Sequence, residues 1–444
     1  MNNEESIHLG IERENSIRRK KENIKKEIGK LIDKYHYLNE SRPNDKKTFS
    51  YPLVVPTYGP EEIKEALDSL LSTYVTMGDK CKEFEKIFST YVDMNYGLFV
   101  NSGSSANLIA LSILKSPEID NPIKNGDEII TPAVTWSTTV FPIYNIDAIP
   151  VFIDTNPNTM TLDVDQIEDA ITSKTKAILP VHLLGNPCDM EKIMNIAREH
   201  NLYVIEDCCE AHGAIFNNKK IGSFGNLSTF SFFFSHHIST IEGGMVLSNN
   251  QSFIEIGKSI RAHGWVRERS DKENFITRYP KYDPRFLFVH RGYNLRPTEI
   301  QGAFGIHQME KLDKFVSIRA NAAKFLIDKL KKYEQYLILP KVLENSKQSW
   351  FGFSIIVKKK APFTRREFIT YLEDNNIETR PIMGGNFVRQ PVLDSQEYRI
   401  INDLSNSQLI FENGIFIGLN HESTKNKLKK IIQILDKFFE SKIE

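Results

Sequence analysis

GLFVNSGSSANLIALSIL, residues 97–114, sets the reading of the chain. A short apolar run suited to a buried strand leads through Asn101-Ser102-Gly103-Ser104-Ser105-Ala106-Asn107 into a segment with helical spacing. Glycine freedom, hydroxyls and a helix N-terminus converge there, the make-up of an anion site and equally of ordinary helix capping. The alternation then repeats. EIIT (128–131) precedes a Trp-containing segment, IPVFI (149–153) precedes DVDQIEDAI (163–171), and AILPVH (177–182) precedes DMEKIMNIAREH (189–200). YVIED (203–207), STFSFFF (228–234) and GMVLS (244–248) close the series. This order predicts an α/β fold with βαβ units, a mixed, mostly parallel sheet and helices on both faces.

Outward from that block the character changes. After Pro297 come helical segments, a strand candidate SWFGFSIIV (349–357), a helix FTRREFITYLEDN (363–375) and a terminal helix KNKLKKIIQILDKFFESK (425–442), which together predict a smaller α+β C-terminal domain. Before the block, IRRKKENIKKEIGKLIDKYHYLNE (17–40) places Ile24, Ile28, Leu31, Ile32, Tyr35 and Leu38 at helical spacing among charges, an amphipathic helix expected to pack on the body. The expected divisions are residues 1–48, an N-terminal helical extension; 49–310, a large domain; and 311–444, the small domain.

Composition narrows the function. The chain has 444 residues, 40% hydrophobic and 26% charged, enough to bury a sizeable core. Lys plus Arg and Asp plus Glu both total 57, so no net field draws it to nucleic acid or an anionic membrane. No run reaches the roughly 20 apolar residues of a membrane span, and MNNEESIHLGIEREN lacks the apolar stretch of a signal peptide, so a cytoplasmic protein is expected. Cys81, Cys188, Cys208 and Cys209 form no C-x-x-C pattern, and no metal site is expected.

Two further segments carry chemistry. Tyr203-Val204-Ile205-Glu206-Asp207 ends a buried strand in acids, and ligands of open α/β sheets sit beyond the carboxyl ends of strands; Asp207 there is a ligand contact or a helix cap. Phe230 to Gly244, FSFFFSHHISTIEGG, ends an aromatic strand in His236-His237 and then a Glu-Gly-Gly turn. A metal pair would need ligands this spacing does not supply.

From about residue 50 to the C-terminus the chain resembles the DegT/DnrJ/EryC1/StrS family of pyridoxal-phosphate enzymes acting on nucleotide-linked keto sugars. The resemblance rests on ordered motifs: SGSSAN (102–107), PAVTWSTTV (132–140), PVHLLGNPCDM (180–190), IEDCCEAHGA (205–214), the FSFFFSHHISTIEGG segment, RAHGW (261–265), GYNLRPTEIQGAFG (292–305) and ETRPIMGGNF (378–387). It implies the fold type I aminotransferase architecture. Most members carry a lysine, which holds the cofactor covalently, six residues before the EGG turn; here that position is His236. The substitution resembles the subgroup of C3-dehydratases, and imidazole, lacking a primary amine, implies pyridoxal or pyridoxamine phosphate held noncovalently. A side chain titrating near neutrality suits a general base.

The same resemblance implies that Asp207 pairs with the pyridine nitrogen, Trp136 stacks on the ring, and Ser104, Ser105 and Ser231 contact the phosphate. Glu210 stands at the cofactor where transaminating relatives usually carry Gln. Asn294 reaches the phosphate of the neighbouring subunit's cofactor, which implies a homodimer with shared sites. His263, Arg296 and Arg380 are candidates for the sugar and its diphosphate. The implied activity is 3-deoxygenation of a nucleotide-linked, GDP-linked by preference, 4-keto-6-deoxy sugar, with L-glutamate as amino donor. A CDP-linked substrate is the alternative, although the iron-sulfur cluster of those relatives is excluded because no cysteine follows Cys209. A nucleotide-sugar aminotransferase, and a DNA-binding regulator using the basic N-terminal helix, are the remaining alternatives.

Overall fold

The computed structural model of the protein describes residues 3–40 and 49–443. Its centre is an eight-stranded sheet with the order Tyr96–Val100, Gly244–Ser248, Leu227–Ser231, Tyr203–Asp207, Thr175–Ile178, Glu128–Pro132, Ile149–Ile153 and Arg399–Ile400. Every pairing is parallel except the two made by Gly244–Ser248, which runs antiparallel to both neighbours. This is the mixed, mostly parallel sheet that the alternation predicts.

Most strand residues are buried because both faces of the sheet are covered. Leu98, Ile129, Ile205 and Val246 point into one core, and Phe99, Ile130, Val204 and Met245 into the other. Alternate residues of a strand face opposite sides, so a sheet sandwiched between helices buries apolar residues on both faces. A third core lies around a four-stranded antiparallel sheet, Leu337–Ile338, Gly352–Val357, Gly414–Gly418 and Thr379–Pro381, covered by helices Arg365–Asp374 and Lys425–Ile443.

These two sheets are tied by the chain in two ways. Helix Glu299–Leu330 runs without a break past residue 310, and Arg399–Ile400 leaves the C-terminal segment to form the edge of the large sheet beside Ile149–Ile153. Some expected strands are shorter than their apolar runs. In AILPVH the continuous strand ends at Ile178, Leu179 adds one bond to Ile130 O, and beyond Pro180, which has no amide to donate, Val181 makes only an isolated bridge to Asp207. STFSFFF pairs only through Ser231, after which the chain turns into the two histidines.

The N-terminal helix forms over Asn3–Glu40, and only part of its apolar stripe, Ile28 and Ile32, is half-buried. Ile24, Leu31, Tyr35 and Leu38 are exposed, and the helix meets the body through Lys25–Asp68 and Asp33–Lys64 ion pairs. One polar flank of the stripe, with Lys25 and Asp33, faces helix Pro60–Ser72, while Ile24, Leu31, Tyr35 and Leu38 point outward.

Candidate active site

The carboxyl ends of the parallel strands open on a cavity of about 380 Å³. Ser102, Gly103 and Ser104 enter from the N-terminus of helix Gly103–Leu114, Trp136 from the N-cap of helix Ser137–Asn145, and Asp207 and Glu210 from the end of strand Tyr203–Asp207. Ser231, Phe233, Ser235 and His236 come from the segment after strand Leu227–Ser231. Six of the residues singled out from the sequence therefore meet in one place: Ser104, Trp136, Asp207, Glu210, Ser231 and His236. Among the described residues no lysine lines this cavity.

The anion end is built by close backbone approach. A Cβ on Gly103 would lie 2.4 Å from the Cβ of Ser231, so only glycine lets the helix N-terminus seat against the Ser231 strand. Free amides and serine hydroxyls then point into the cavity, a cradle suited to a phosphate. Ser105 does not join it. Its hydroxyl donates to Asn101 Oδ1 at 2.7 Å and its amide to Ser102 Oγ at 3.1 Å, so it closes the turn from within.

Asp207 is 5% exposed and no Lys or Arg among the described residues pairs with it. Oδ2 accepts from Asn107 Nδ2 and from Thr139 Oγ1, both at 2.9 Å, and Oδ1 accepts from the Cys209 amide at 3.2 Å. A buried carboxylate satisfied only by neutral donors still lacks a counter-charge, and a protonated pyridine would supply it. Glycine and serine at one end, this carboxylate at the other and Trp136 at the lip, 57% exposed, fit a pyridoxal-type cofactor.

His236 sits on the wall with Nδ1 buried and unpartnered, which leaves Nε2 to reach the cavity. Burial and the Arg319 guanidinium push its pKa down to about 3, which favours the neutral ring, the form a general base needs. Arg319 is itself buried, with Nη1 donating to the carbonyls of Trp350, Phe351 and Leu419. His237 turns away from the cavity and its Nε2 meets Ser349 O at 2.8 Å.

Glu210 is held by the Leu184 amide, which donates to Oε2 at 2.7 Å. Leu184 adopts the left-handed conformation, φ 54°, that branched residues avoid, and Phe351 and Ser349 pin it by donating to Leu184 O at 2.9 Å and Gly185 O at 3.0 Å. Burial raises the Glu210 pKa to about 8, against the weaker pull of the Leu184 hydrogen bond. The group is a carboxylic acid at neutral pH.

The remaining predicted residues lie outside this cavity. Arg296 Nε donates to Asn294 Oδ1 at 3.1 Å and its guanidinium reaches toward His263, while Arg380 pairs with Glu378 at 2.9 Å. Asn107 and Thr139 hold Asp207 and carried no expected role. Their only sequence signals are an amide within an apolar helix and a threonine in the run after Trp136.

A model of the DegT/DnrJ/EryC1/StrS aminotransferase family matches residues 56–436. The GDP-4-keto-6-deoxy-D-mannose 3-dehydratase of Escherichia coli O55:H7 is 39% identical over 379 residues, covering 84% of this chain and 96% of that protein. A solved E. coli GDP-4-keto-6-deoxy-D-mannose-3-dehydratase with bound hydrated PLP superposes with a TM-score of 0.81 at 36% identity, over 87% of this chain and all of the other. A structure of GDP-4-keto-6-deoxymannose-3-dehydratase with a trapped PLP-glutamate geminal diamine matches with the same TM-score, 0.81, also at 36% identity and over 87% of this chain. With matching motifs, fold and cavity, the chain belongs to the DegT/DnrJ/EryC1/StrS aminotransferase family.

Proposed function

We propose that this protein is a 3-dehydratase that removes the C3 hydroxyl of a GDP-linked 4-keto-6-deoxy sugar, using noncovalent pyridoxal/pyridoxamine phosphate and L-glutamate as amino donor. The observation that carries the reading is His236 on the wall of a cavity that no lysine lines. Its support from relatives is the 3-dehydratase name at 39% identity and the PLP-glutamate adduct held by a structural neighbour.

When bound, pyridoxamine phosphate supplies an amine for the C4 ketone and a ring that accepts an electron pair. The chain does the rest. The Ser102–Ser104 turn and Ser231 hold the phosphate, Asp207 holds a proton on the pyridine nitrogen, and Trp136 covers the ring. His236 Nε2, neutral at working pH, takes a proton from carbon. As an imidazolium in a site that disfavours the charge, it is then a strong acid beside the departing C3 hydroxyl. Glu210, protonated, offers a hydrogen bond where a carboxylate would repel the cofactor's own oxygens. Glutamate supplies the electron pair: sugar and glutamate give 3-deoxy sugar, 2-oxoglutarate and ammonia, which balances atoms and charge.

Asn294 acts, in this reading, across a homodimer at the neighbouring subunit's site, and His263, Arg296 and Arg380 bind the sugar and its diphosphate. Among the described residues no helix is long and apolar enough to cross a membrane, in keeping with a role on a nucleotide sugar in the cytoplasm. The test is mass spectrometry after incubation with glutamate, PLP and GDP-, CDP- or dTDP-linked 4-keto-6-deoxy sugars. A GDP product one oxygen lighter, with equimolar 2-oxoglutarate, is expected. An amino sugar would mark a transaminase instead, and a product from CDP alone would overturn the nucleotide.

A further inference from the structure

Asn107 is 1% exposed and stands one turn into helix Gly103–Leu114, where an otherwise apolar face packs on the sheet. A buried primary amide in such a place must satisfy two donors and an acceptor. It does so on three elements. Nδ2 donates to Thr138 O at 3.1 Å and to Asp207 Oδ2 at 2.9 Å, and Oδ1 accepts from Thr229 Oγ1 at 2.6 Å.

The orientation of this amide is forced. Thr138 O can only accept, so a flipped side chain would press its own oxygen against a carbonyl and a carboxylate at once. Thr139 repeats the pattern from the neighbouring helix: its hydroxyl accepts from Thr135 Oγ1 at 2.8 Å and gives its proton to Asp207 Oδ2 at 2.9 Å. Two neutral donors thus occupy one oxygen of Asp207. The other takes only the Cys209 amide at 3.2 Å. The titratable groups that act on Asp207 are Cys208, Cys209 and Glu210 from its own chain turn, and among the described residues the side chains that bond it from other elements, Asn107 and Thr139, are neutral.

We propose that Asn107 is a positioning residue: its amide fixes which oxygen of Asp207 faces the cavity, opposite the ring nitrogen of the cofactor. The inference rests on the reading of the cavity as a pyridoxal-phosphate site. Neutral donors hold the carboxyl group in place without cancelling the negative charge that the ring nitrogen needs. A lysine or arginine in place of Asn107 would hold Asp207 equally well and leave it nothing to offer. Thr229 acts one step further out, by holding the amide oxygen.

The experiment is a titration of cofactor-free protein with PLP, read as dissociation constant and as the absorbance of the bound ring from pH 6 to pH 9.5. The proteins are the natural chain, Asn107→Asp, Thr229→Val and Asp207→Ala. Asn107→Asp is isosteric but sets a second carboxyl against Asp207, and such a pair shares one proton. Its affinity for PLP is expected to fall roughly tenfold or more, with the pH midpoint of the ring absorbance lowered by about one unit or more. Thr229→Val, which leaves the donors in place, is expected to move both readouts in the same direction by less.

If Asn107→Asp superposes on the natural protein in both readouts, the positioning role is wrong. Should Asn107→Asp fail to fold, Thr229→Val decides, and no shift there refutes the proposal. If the natural protein takes up no PLP, or Asp207→Ala binds it as well, the cofactor reading itself fails, an outcome distinct from the first.

Discussion

His212 and His237 lie with ring centroids 5.3 Å apart, tilted by 41°, and His212 is 6.0 Å from His236. Among the described residues no carboxylate is hydrogen-bonded to any of the three, and Arg319 adds a buried positive charge. The rings are consequently held neutral.

That arrangement makes the protein acid-labile. Burial lowers the pKa of His212 and His237 well below 6.5, with His236 and Arg319 adding to it. Below pH 6.5 the unfolded chain binds protons that the folded chain refuses, so stability is present above 6.5 and is lost as pH falls. Each fully buried ring costs about 1.4 kcal/mol per pH unit, so the pair costs on the order of 3 kcal/mol per unit. Chemical denaturation at pH 7, 6 and 5 should show the midpoint falling steeply, and His212→Gln should flatten the slope. A midpoint unchanged between pH 7 and 5 would refute it.

Glu210→Gln should stabilise the cofactor-free protein. The acid ionises at 4.5 when unfolded and at about 8 when folded, so folding above pH 4.5 costs free energy that an amide does not incur. Allowing for the solvent in the cavity, the gain at pH 7 is about 2 kcal/mol. The Gln oxygen can still accept from the Leu184 amide. Melting temperature should rise at pH 7 and 8 while the difference shrinks toward pH 4.5; a lower melting temperature at pH 8 would contradict the assignment of a buried neutral acid.

Much of this site is legible in the sequence where chemistry and backbone coincide. The alternation from Gly97 to Ser248 predicts the sheet, and strand ends such as Asp207 and loop glycines such as Gly103 lie where topology requires. What escapes is set by packing between distant elements. Asn107 meets Thr229, and Arg319 meets the carbonyls of Trp350 and Leu419, only after the sheet has formed. The outward turn of Ile24 and Leu31 escapes for a related reason: periodicity defines a stripe but not whether polar contacts on its flank will seat the helix. The shift in His236 likewise depends on burial and on a charge 83 positions away in the chain.

Asn294 should act on the other protomer of a dimer. In one protomer its carboxamide pairs with Arg296 and lies outside the cavity, next to the exposed Tyr293. Mixing Asn294→Ala with a His236→Asn protein should form hybrids in which one of two sites keeps both residues. Recovered turnover up to about a quarter of the natural rate is expected from random pairing. Hybrids proven by mass but inactive would show that Asn294 serves its own chain.

His236→Lys restores the residue most of the family carries, and it should exchange one chemistry for another. The amine should capture PLP in a covalent link that borohydride makes permanent, found on residue 236 by peptide mass spectrometry and absent from the natural protein. Dehydration should collapse, by 100-fold or more on the order expected for loss of a general base. Lysine has an unperturbed pKa near 10.4 and would be an ammonium unless the cavity lowers it. An amine that traps the cofactor also withholds it from the sugar's C4 ketone. His237→Asn is the control: His237 points to Ser349 O and not into the cavity, so its loss should lower stability while turnover per folded molecule is kept. If His237→Asn abolishes turnover in folded protein and His236→Lys leaves dehydration intact, the general base is His237 and the roles of the two rings are reversed.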